Sequence, residues 1–422
     1  MVDERPDRQP ADRLTLGLLF GATTLSTLGD GSIQVLVAPL LETKGLPQTV
    51  IGAVVGAYSV SALIFRLAGG GLLQGSRIGG LIPLGSLLSA LSFVILPLLT
   101  DPLLLGAAMA LNGLGFALVS TGGLVAIIAA REGQASGPLM GWYNGFISIG
   151  YSLAGFTGGV VADRFGLEPG IRGLSLIPVV TAVVMWTVLR RIPADRLVPP
   201  KRPGRSAAPT RNRYRRLSPL VWLAFFVTVH INLLAGVLGT FFPLYGLVLG
   251  LSLSRIGALQ GFHSAAASVI RFLTPLIFRA VRPRSLQPWM VVLGGLAVTG
   301  LALVVDYRLL VLCWVVLGTT RGILRVSSSA LMMDESDGHD RGTASGVYLA
   351  GLDVGRIVGP LLGGVSVQLL GYQGTFLAAG LATPIIFLVM ERTLSAAARR
   401  RAAEAADATD SDGTDPDRSD QE

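Results

Sequence analysis

Long apolar runs alternate with short polar breaks along the whole chain. Breaking the runs at clusters of charge, glycine and proline leaves twelve, at residues 14–41, 49–73, 79–99, 103–130, 138–162, 173–189, 219–249, 256–278, 286–305, 309–333, 343–369 and 375–390. A membrane-spanning helix needs about 20 mostly apolar residues at ~1.5 Å of rise each. The pattern therefore predicts an all-α membrane protein with twelve transmembrane helices. The first run follows a polar tail carrying Arg5, Arg8 and Arg13 and is longer than a signal-peptide core, so it is expected to be retained.

Composition agrees. Of 422 residues, 51% are hydrophobic and only 14% charged, with a mean hydropathy of +0.62. Soluble domains carry about 25% charged residues, so this chain has too little polar surface to stay in water. One cysteine, Cys313, allows no internal disulfide and no cysteine-based metal site. The histidines are His230, His263 and His339, with no His-Glu-x-x-His. The two lysines, Lys44 and Lys201, are followed by Gly45 and Arg202, whereas a phosphate-cradling loop needs Ser or Thr after its lysine. No metal, no cofactor and no catalytic cluster is implied, and the chain is not expected to be an enzyme.

The net charge of +8 invites nucleic acid as a partner, but the charges sit in the breaks between runs. On the side that would hold both termini, tails and loops carry 24 Lys and Arg; the opposite loops carry 5. That asymmetry predicts a multi-pass protein of the cell membrane with both termini cytoplasmic, embedded in the lipid bilayer and without a nucleic-acid partner. Residues 190–218 hold ten basic residues, one acidic residue and five prolines, and read as a cytoplasmic linker. The expected division is an N-tail (1–13), a six-helix bundle (14–189), this linker, a second six-helix bundle (219–391) and a disordered acidic tail (392–422).

The bundles are related to each other. Residues 49–66 align without gaps to 254–271, an offset of 205, with seven of 18 positions identical, among them Gly52/Gly257, Gly56/Gly261 and Arg66/Arg271. The same offset aligns 141–166 with 346–371, matching Gly141/Gly346, Tyr143/Tyr348, Gly150/Gly355, Gly158/Gly363, Gly159/Gly364 and Gly166/Gly371. It also pairs Pro83 with Pro288 and Asp101 with Asp306. Six helices per repeat is an even number, so both halves enter the membrane in the same direction, with their symmetry axis along the membrane normal.

This organisation resembles the major facilitator superfamily of secondary transporters. The eleventh run carries Gly355-x-x-x-Gly359-Pro360-x-x-Gly363-Gly364, similar to that superfamily's Gly-Pro antiporter motif, and the fifth carries the weaker Gly150-x-x-x-Ala154-Gly155-x-x-Gly158-Gly159. Close helix packing is the alternative role for both. In the first run Asp30, Ser32 and Pro39 resemble a drug-efflux pattern. The loop between the second and third helices, GGGLLQGSRIGG, offers Arg77 but lacks the aspartate of the superfamily's hallmark loop. The resemblance covers residues 14–391 and implies a central cavity lined by helices 1, 4, 7 and 10, with 2, 5, 8 and 11 beside them.

A charge at bilayer depth costs at least ~2.5–3.5 kcal/mol, which makes each one a functional candidate. Seven lie inside the runs: Asp30, Arg66, Arg271, Arg321, Arg325, Asp353 and Arg356, all on those eight helices. Asp30 is the candidate for proton coupling, with a fixed salt bridge to Arg321 as the competing reading. Asp353 and Arg356, three apart, could simply neutralise each other. Gln34, Asn112, Tyr143, Asn144, His230, Asn232 and His263 are candidate polar contacts to substrate, a histidine in such a place also serving as a hydrogen-bonded packing residue. Arg66, Arg77, Arg271 and Arg325 are assigned to gating or structure. Five arginines against two aspartates leave +3, which favours anions or neutral polar solutes.

The expected function is secondary transport of a small organic solute by alternating access, with proton-coupled efflux of a drug or metabolite leading. Uptake of an organic anion or sugar by a symporter or uniporter is the alternative, and a transport-inactive membrane receptor is the rival from another class. The expected partners are the small-molecule substrate and protons, and the expected state is a monomer.

Overall fold

The computed structural model describes residues 13–68, 77–130, 136–192, 214, 217–336 and 340–412. The first half contains α1 (Arg13–Thr43), α2 (Gln48–Ala68), α3 (Ile78–Ile95, with a 3-10 turn at Leu96–Leu98), α4 (Pro102–Ala130), α5 (Ser136–Phe165) and α6. The last of these runs as Leu167–Leu174 and Leu176–Leu189. The second half contains α7 (Pro219–Val248), α8 (Leu253–Ala280), α9 (Pro283–Leu303) and α10 (Tyr307–Asp334). Arg341–Asp412 is one long helix broken at Gly371, whose arms, 341–370 and 372–412, are α11 and α12.

Helix ends follow from local chemistry. Asp101 accepts the amides of Leu103 and Leu104 at the start of α4, and Asp306 accepts those of Arg308 and Leu309 at the start of α10. Among the described residues, those with positive φ are Gly45 and Gly250, closing α1 and α7, and Gly166 and Gly371, closing α5 and α11. Only glycine adopts that left-handed conformation without penalty. Each of these three pairs is 205 residues apart.

Ten of the described helices are long and apolar enough to cross a membrane, the last of them containing the break at Gly371. Absent from that set is α1, 31 residues long, because Thr23, Thr27, Asp30, Ser32 and Gln34 dilute its apolar run. Two boundaries differ from expectation. The sixth helix begins at Leu167, six residues earlier than its apolar run, because Glu168, Pro169 and Arg172 lower the hydropathy while Ile171 and Leu174 still bury on one face. The chain from 392 to 412, expected to be disordered, continues α12. Its Ala-rich sequence favours helix, and Arg284 to Ser395 (2.8 Å) and Arg401 to the Leu217 carbonyl (3.0 Å) tie it to the bundle. Most of the linker and residues 413–422 lie outside the described residues, as do 69–76 of the second loop and His339.

The same packing occurs twice. In the first half α2 and α3 pack on α4, α1 on α5, and α3 on α6; in the second, α8 and α9 pack on α10, α7 on α11, and α9 on α12. Contacts between the halves obey the same arithmetic. Gly52 faces Pro360 as Gly257 faces Gly155, and Gly364 faces Gln48 as Gly159 faces Leu253. A contact whose partners exchange halves in this way is what a two-fold axis produces.

These contacts, along α2/α11 and α5/α8, lie toward the end remote from the two chain termini. There a single core joins both halves, including Leu36, Leu40, Phe241, Phe242 and Phe376. Toward the termini the core is divided, with Leu19, Ile82 and Met185 in one half and Val221, Leu331 and Phe387 in the other. The halves are pinned together at one end and separately packed at the other.

Candidate functional site

Asp30 lies on the stretch of α1 that faces α5 and the second half. It is buried, 4% exposed, although a lone carboxylate at such a depth is costly. Two donors converge on its Oδ2: Gln34 Nε2 at 2.7 Å, one turn along α1, and the Tyr151 hydroxyl of α5 at 3.0 Å. Tyr58 of α2 stands beside it, and Arg356 of α11 acts on it electrostatically from the other half. Arg356 also interacts with Tyr58, Tyr151 and Asp353. Asp30 Oδ1 has no hydrogen-bond partner among the described residues.

Opposite lies a group of cations. Arg321 on α10 interacts electrostatically with Arg325, one turn on, with Arg271 of α8 and with Arg356. Its Nη1 is 3.4 Å from His263 Nε2, and the His263 ring meets Trp314 edge-to-face with centroids 5.4 Å apart. Arg271 Nη1 reaches Ser148 Oγ at 3.4 Å, and the Nε atoms of both Arg271 and Arg321 have no partner among the described residues. All four guanidinium side chains are half-buried. Four like charges in mutual reach repel one another, and that repulsion is relieved by an anion among them.

Asp353 offsets that charge only in part, by acting electrostatically on Arg356. Its carboxylate bridges the halves to Arg66, Nη1 to Oδ1 at 3.0 Å. The expected choice between mutual neutralisation with Arg356 and independent roles is thus more complicated, since Arg66 supplies the close partner. For the competing reading of a fixed salt bridge to Arg321, the described residues show no close Asp30–Arg321 contact; the arginine that acts on Asp30, at longer range, is Arg356.

Other candidates lie elsewhere. Asn112 on α4 is fully buried and faces a cleft inside the first half. Tyr143 donates to the Ser120 carbonyl at 2.6 Å and ties α5 to α4. Asn144 is exposed and bonds its own helix at the Met140 carbonyl, 2.8 Å away. Asn232 likewise bonds the Thr228 carbonyl at 2.8 Å and packs on Gly355. His230 is half-buried on α7 and shares no described polar contact with the arginines. Arg77 is exposed at the start of α3. Gly355, Gly359 and Gly363 press on α7, while Pro360 and Gly364 press on α2.

Sequence reasoning missed Tyr58, Tyr151, Ser148 and Trp314. The repeat held the signal for three of them, because Tyr58 is equivalent to His263, Tyr151 to Arg356, and Ser148 to Asp353 at the same offset of 205.

Comparison with known proteins bears on this architecture directly. The family model for the Major Facilitator Superfamily matches residues 19–307 and 288–411, nearly the whole chain. The chain belongs to that superfamily. It is therefore a multi-pass membrane transporter of small solutes and not an enzyme. A Staphyloferrin B transporter of Staphylococcus aureus is 30% identical over 174 residues, and the match spans 40% of each chain. An uncharacterized MFS-type transporter of Methanocaldococcus jannaschii is 19% identical over 366 residues, covering 84% of this chain and 92% of the relative. Among solved structures, a mutant of the nucleoside transporter NupG superposes with a TM-score of 0.76 at 14% identity, covering 89% of this chain and 99% of that one. A bacterial homolog of the lysosomal transporter Spinster gives 0.72 at 15% identity, covering 92% and 96%.

Proposed function

We propose that this transporter carries a small organic anion together with a coupling cation, by alternating access between the two halves. The observation that carries the reading is the convergence of Arg271, Arg321, Arg325 and Arg356, with Asp30 as the nearby acid not already engaged by another arginine at close range. The superfamily relative described as a Staphyloferrin B transporter supports a polar metabolite as cargo.

The coupling follows from Asp30 and Arg356. While the carboxylate is charged, it offsets Arg356 and weakens the attraction for an anion. A proton on Asp30 removes that offset, and the anion then meets the full charge of four arginines. Proton and anion therefore bind together, which is cotransport. The efflux-type pattern of Asp30, Ser32 and Pro39 favours a second reading, proton-coupled export, in which solute and proton compete for Asp30. Both termini are taken as cytoplasmic from the distribution of Lys and Arg, so that the structure represents the state closed on the outer side.

The test is exchange in proteoliposomes with a panel of radiolabelled carboxylates, nucleosides and organic cations. A carboxylate should exchange, its apparent affinity should rise as pH falls, and Arg321→Gln or Arg356→Gln should weaken it at least tenfold. Exchange of an organic cation, competing with protons and indifferent to both substitutions, would establish the second reading instead.

A further inference from the structure

Behind Asp30, inside the first half, lies a small cleft between α1, α3, α4 and α6, with room for about one water-sized group. Its polar lining is Asp30 and Ser26 of α1, Ser86 and Ser89 of α3, Asn112 of α4 and Thr181 of α6; Phe93, Phe116, Val119 and Pro178 complete the wall. It contains no arginine, lysine or histidine and is separate from the arginine group. Three of these residues carry buried, unsatisfied polar atoms. Among the described residues, Asn112 is fully buried with both amide atoms unpartnered, Ser86 is 2% exposed with an unpartnered hydroxyl, and Asp30, which lines the cleft, has an unpartnered Oδ1 while Gln34 and Tyr151 donate to Oδ2. Leaving a buried polar group unmet costs about 1–3 kcal/mol, and four such atoms on one small cleft point to a missing occupant.

The chemistry of the lining limits what that occupant is. It offers one carboxylate oxygen, one amide oxygen and up to four hydroxyl oxygens, a hard all-oxygen set with a single negative charge. Calcium-type sites draw on several carboxylates and magnesium keeps a shell of waters, so one carboxylate with neutral oxygens suits a monovalent ion. A space of about one water molecule excludes an organic solute. We propose that this cleft is a sodium site, and that sodium bound to Asp30 Oδ1 supplies the coupling charge. The inference rests on the anion-cotransport reading and names its cation: sodium, like a proton, neutralises Asp30 and releases Arg356 toward the anion.

Sodium binding is measured on the purified full-length protein without any organic solute, by ²²Na⁺ binding and by melting temperature in NaCl against choline chloride at equal ionic strength. Saturable binding and a sodium-specific rise in melting temperature are expected. Asn112→Ala should weaken the affinity at least tenfold, and Ser86→Ala, a milder change kept in case the first variant does not fold, several-fold. No saturable binding to the wild type would overturn the proposal and leave the cleft to ordered water, as would binding unchanged in Ser86→Ala and in a folded Asn112→Ala. Because no solute is present, failure here leaves proton-driven anion exchange standing. Sodium binding without any anion exchange would instead sink the transport reading alone.

Discussion

Arg66 Nη1 stands 3.0 Å from Asp353 Oδ1, and the equivalent positions of the repeat, Arg271 and Ser148, meet at 3.4 Å. The two-fold relation thus makes two bridges between the halves, across α2/α11 and across α8/α5, and only one carries an acid. With serine at 148 where the other bridge has Asp353, Arg271 is left without an acid and adds to the net positive charge at the centre.

Ser148→Asp should restore the missing acid. An ion pair with Arg271 would join α5 to α8 as Arg66 and Asp353 join α2 to α11, and it would withdraw one positive charge from the anion site. Both side chains of the existing pair are partly exposed, so a gain of about 1 kcal/mol or less is expected. Apparent anion affinity should fall several-fold while melting temperature holds or rises. Affinity unchanged in a folded Ser148→Asp variant would show that Arg271 takes no part in binding.

At the closed end, Asp163 of α5 accepts the backbone amides of Ser254 and Leu253, at 2.9 and 3.1 Å, and so caps α8 from the other half. Gln368 of α11 does the same for the Thr49 amide of α2 at 3.4 Å. A helix cap is worth about 1 kcal/mol, here available only while this end is shut. Asp163→Ala should therefore shift the population toward opening by about fivefold. Spin labels at Leu103 and Arg308, in a Cys313→Ser background, would report it as a larger long-distance fraction. A distribution identical to that of the parent would remove the cap from the gate.

Much of this was legible in the sequence because the repeat is a covalent record of the symmetry. Glycines matched at an offset of 205 became pairs of contacts, and Asp101 and Asp306 became pairs of caps. Sequence reading failed where a residue's role depends on which way a helix turns. Asn112 and His230 sit on cavity helices yet make no described polar contact with the arginines, and a hydropathy run carries no rotation. Tyr58 and Tyr151 were overlooked because an uncharged tyrosine in an apolar run has no visible cost. The continuation of α12 was hidden by reading acidic composition ahead of the helix propensity of alanine.

Glycines singled out in the sequence of α11 are not equivalent. A Cβ at Gly359 would lie 2.6 Å from the Leu233 carbonyl and 3.0 Å from Gly236 Cα, whereas one at Gly346 would meet nothing within 4 Å. Gly359→Ala should force α7 and α11 apart, lower the melting temperature and reduce exchange. Gly346→Ala should be neutral, or stabilising by up to ~1 kcal/mol through helix propensity. Equal effects of the two on melting temperature would contradict the packing of α7 on α11.

Asp30→Asn isolates the charge of the coupling carboxyl while keeping its size. The amide still offers an oxygen to Tyr151 or Gln34, so the local hydrogen bonds at 3.0 and 2.7 Å are largely replaceable. What disappears is the negative charge facing Arg356. If that charge alternates during the cycle, the variant is fixed in the neutral, anion-accepting form. Solute exchange should persist, with an apparent anion affinity that no longer depends on pH and equals the wild-type value at low pH. Accumulation against a gradient should be lost. A coupling of this kind is typically about 1–3 kcal/mol, so at alkaline pH the variant should bind the anion about 5- to 150-fold more tightly than the wild type. Were the carboxylate instead a permanent partner of Arg356, the variant would leave a buried cation unmatched at a cost of about 3–5 kcal/mol. Exchange, uphill transport and melting temperature would then all fall together. Measuring the three on one purified preparation separates the outcomes, and uphill transport at wild-type rates across the pH range would exclude Asp30 from coupling altogether.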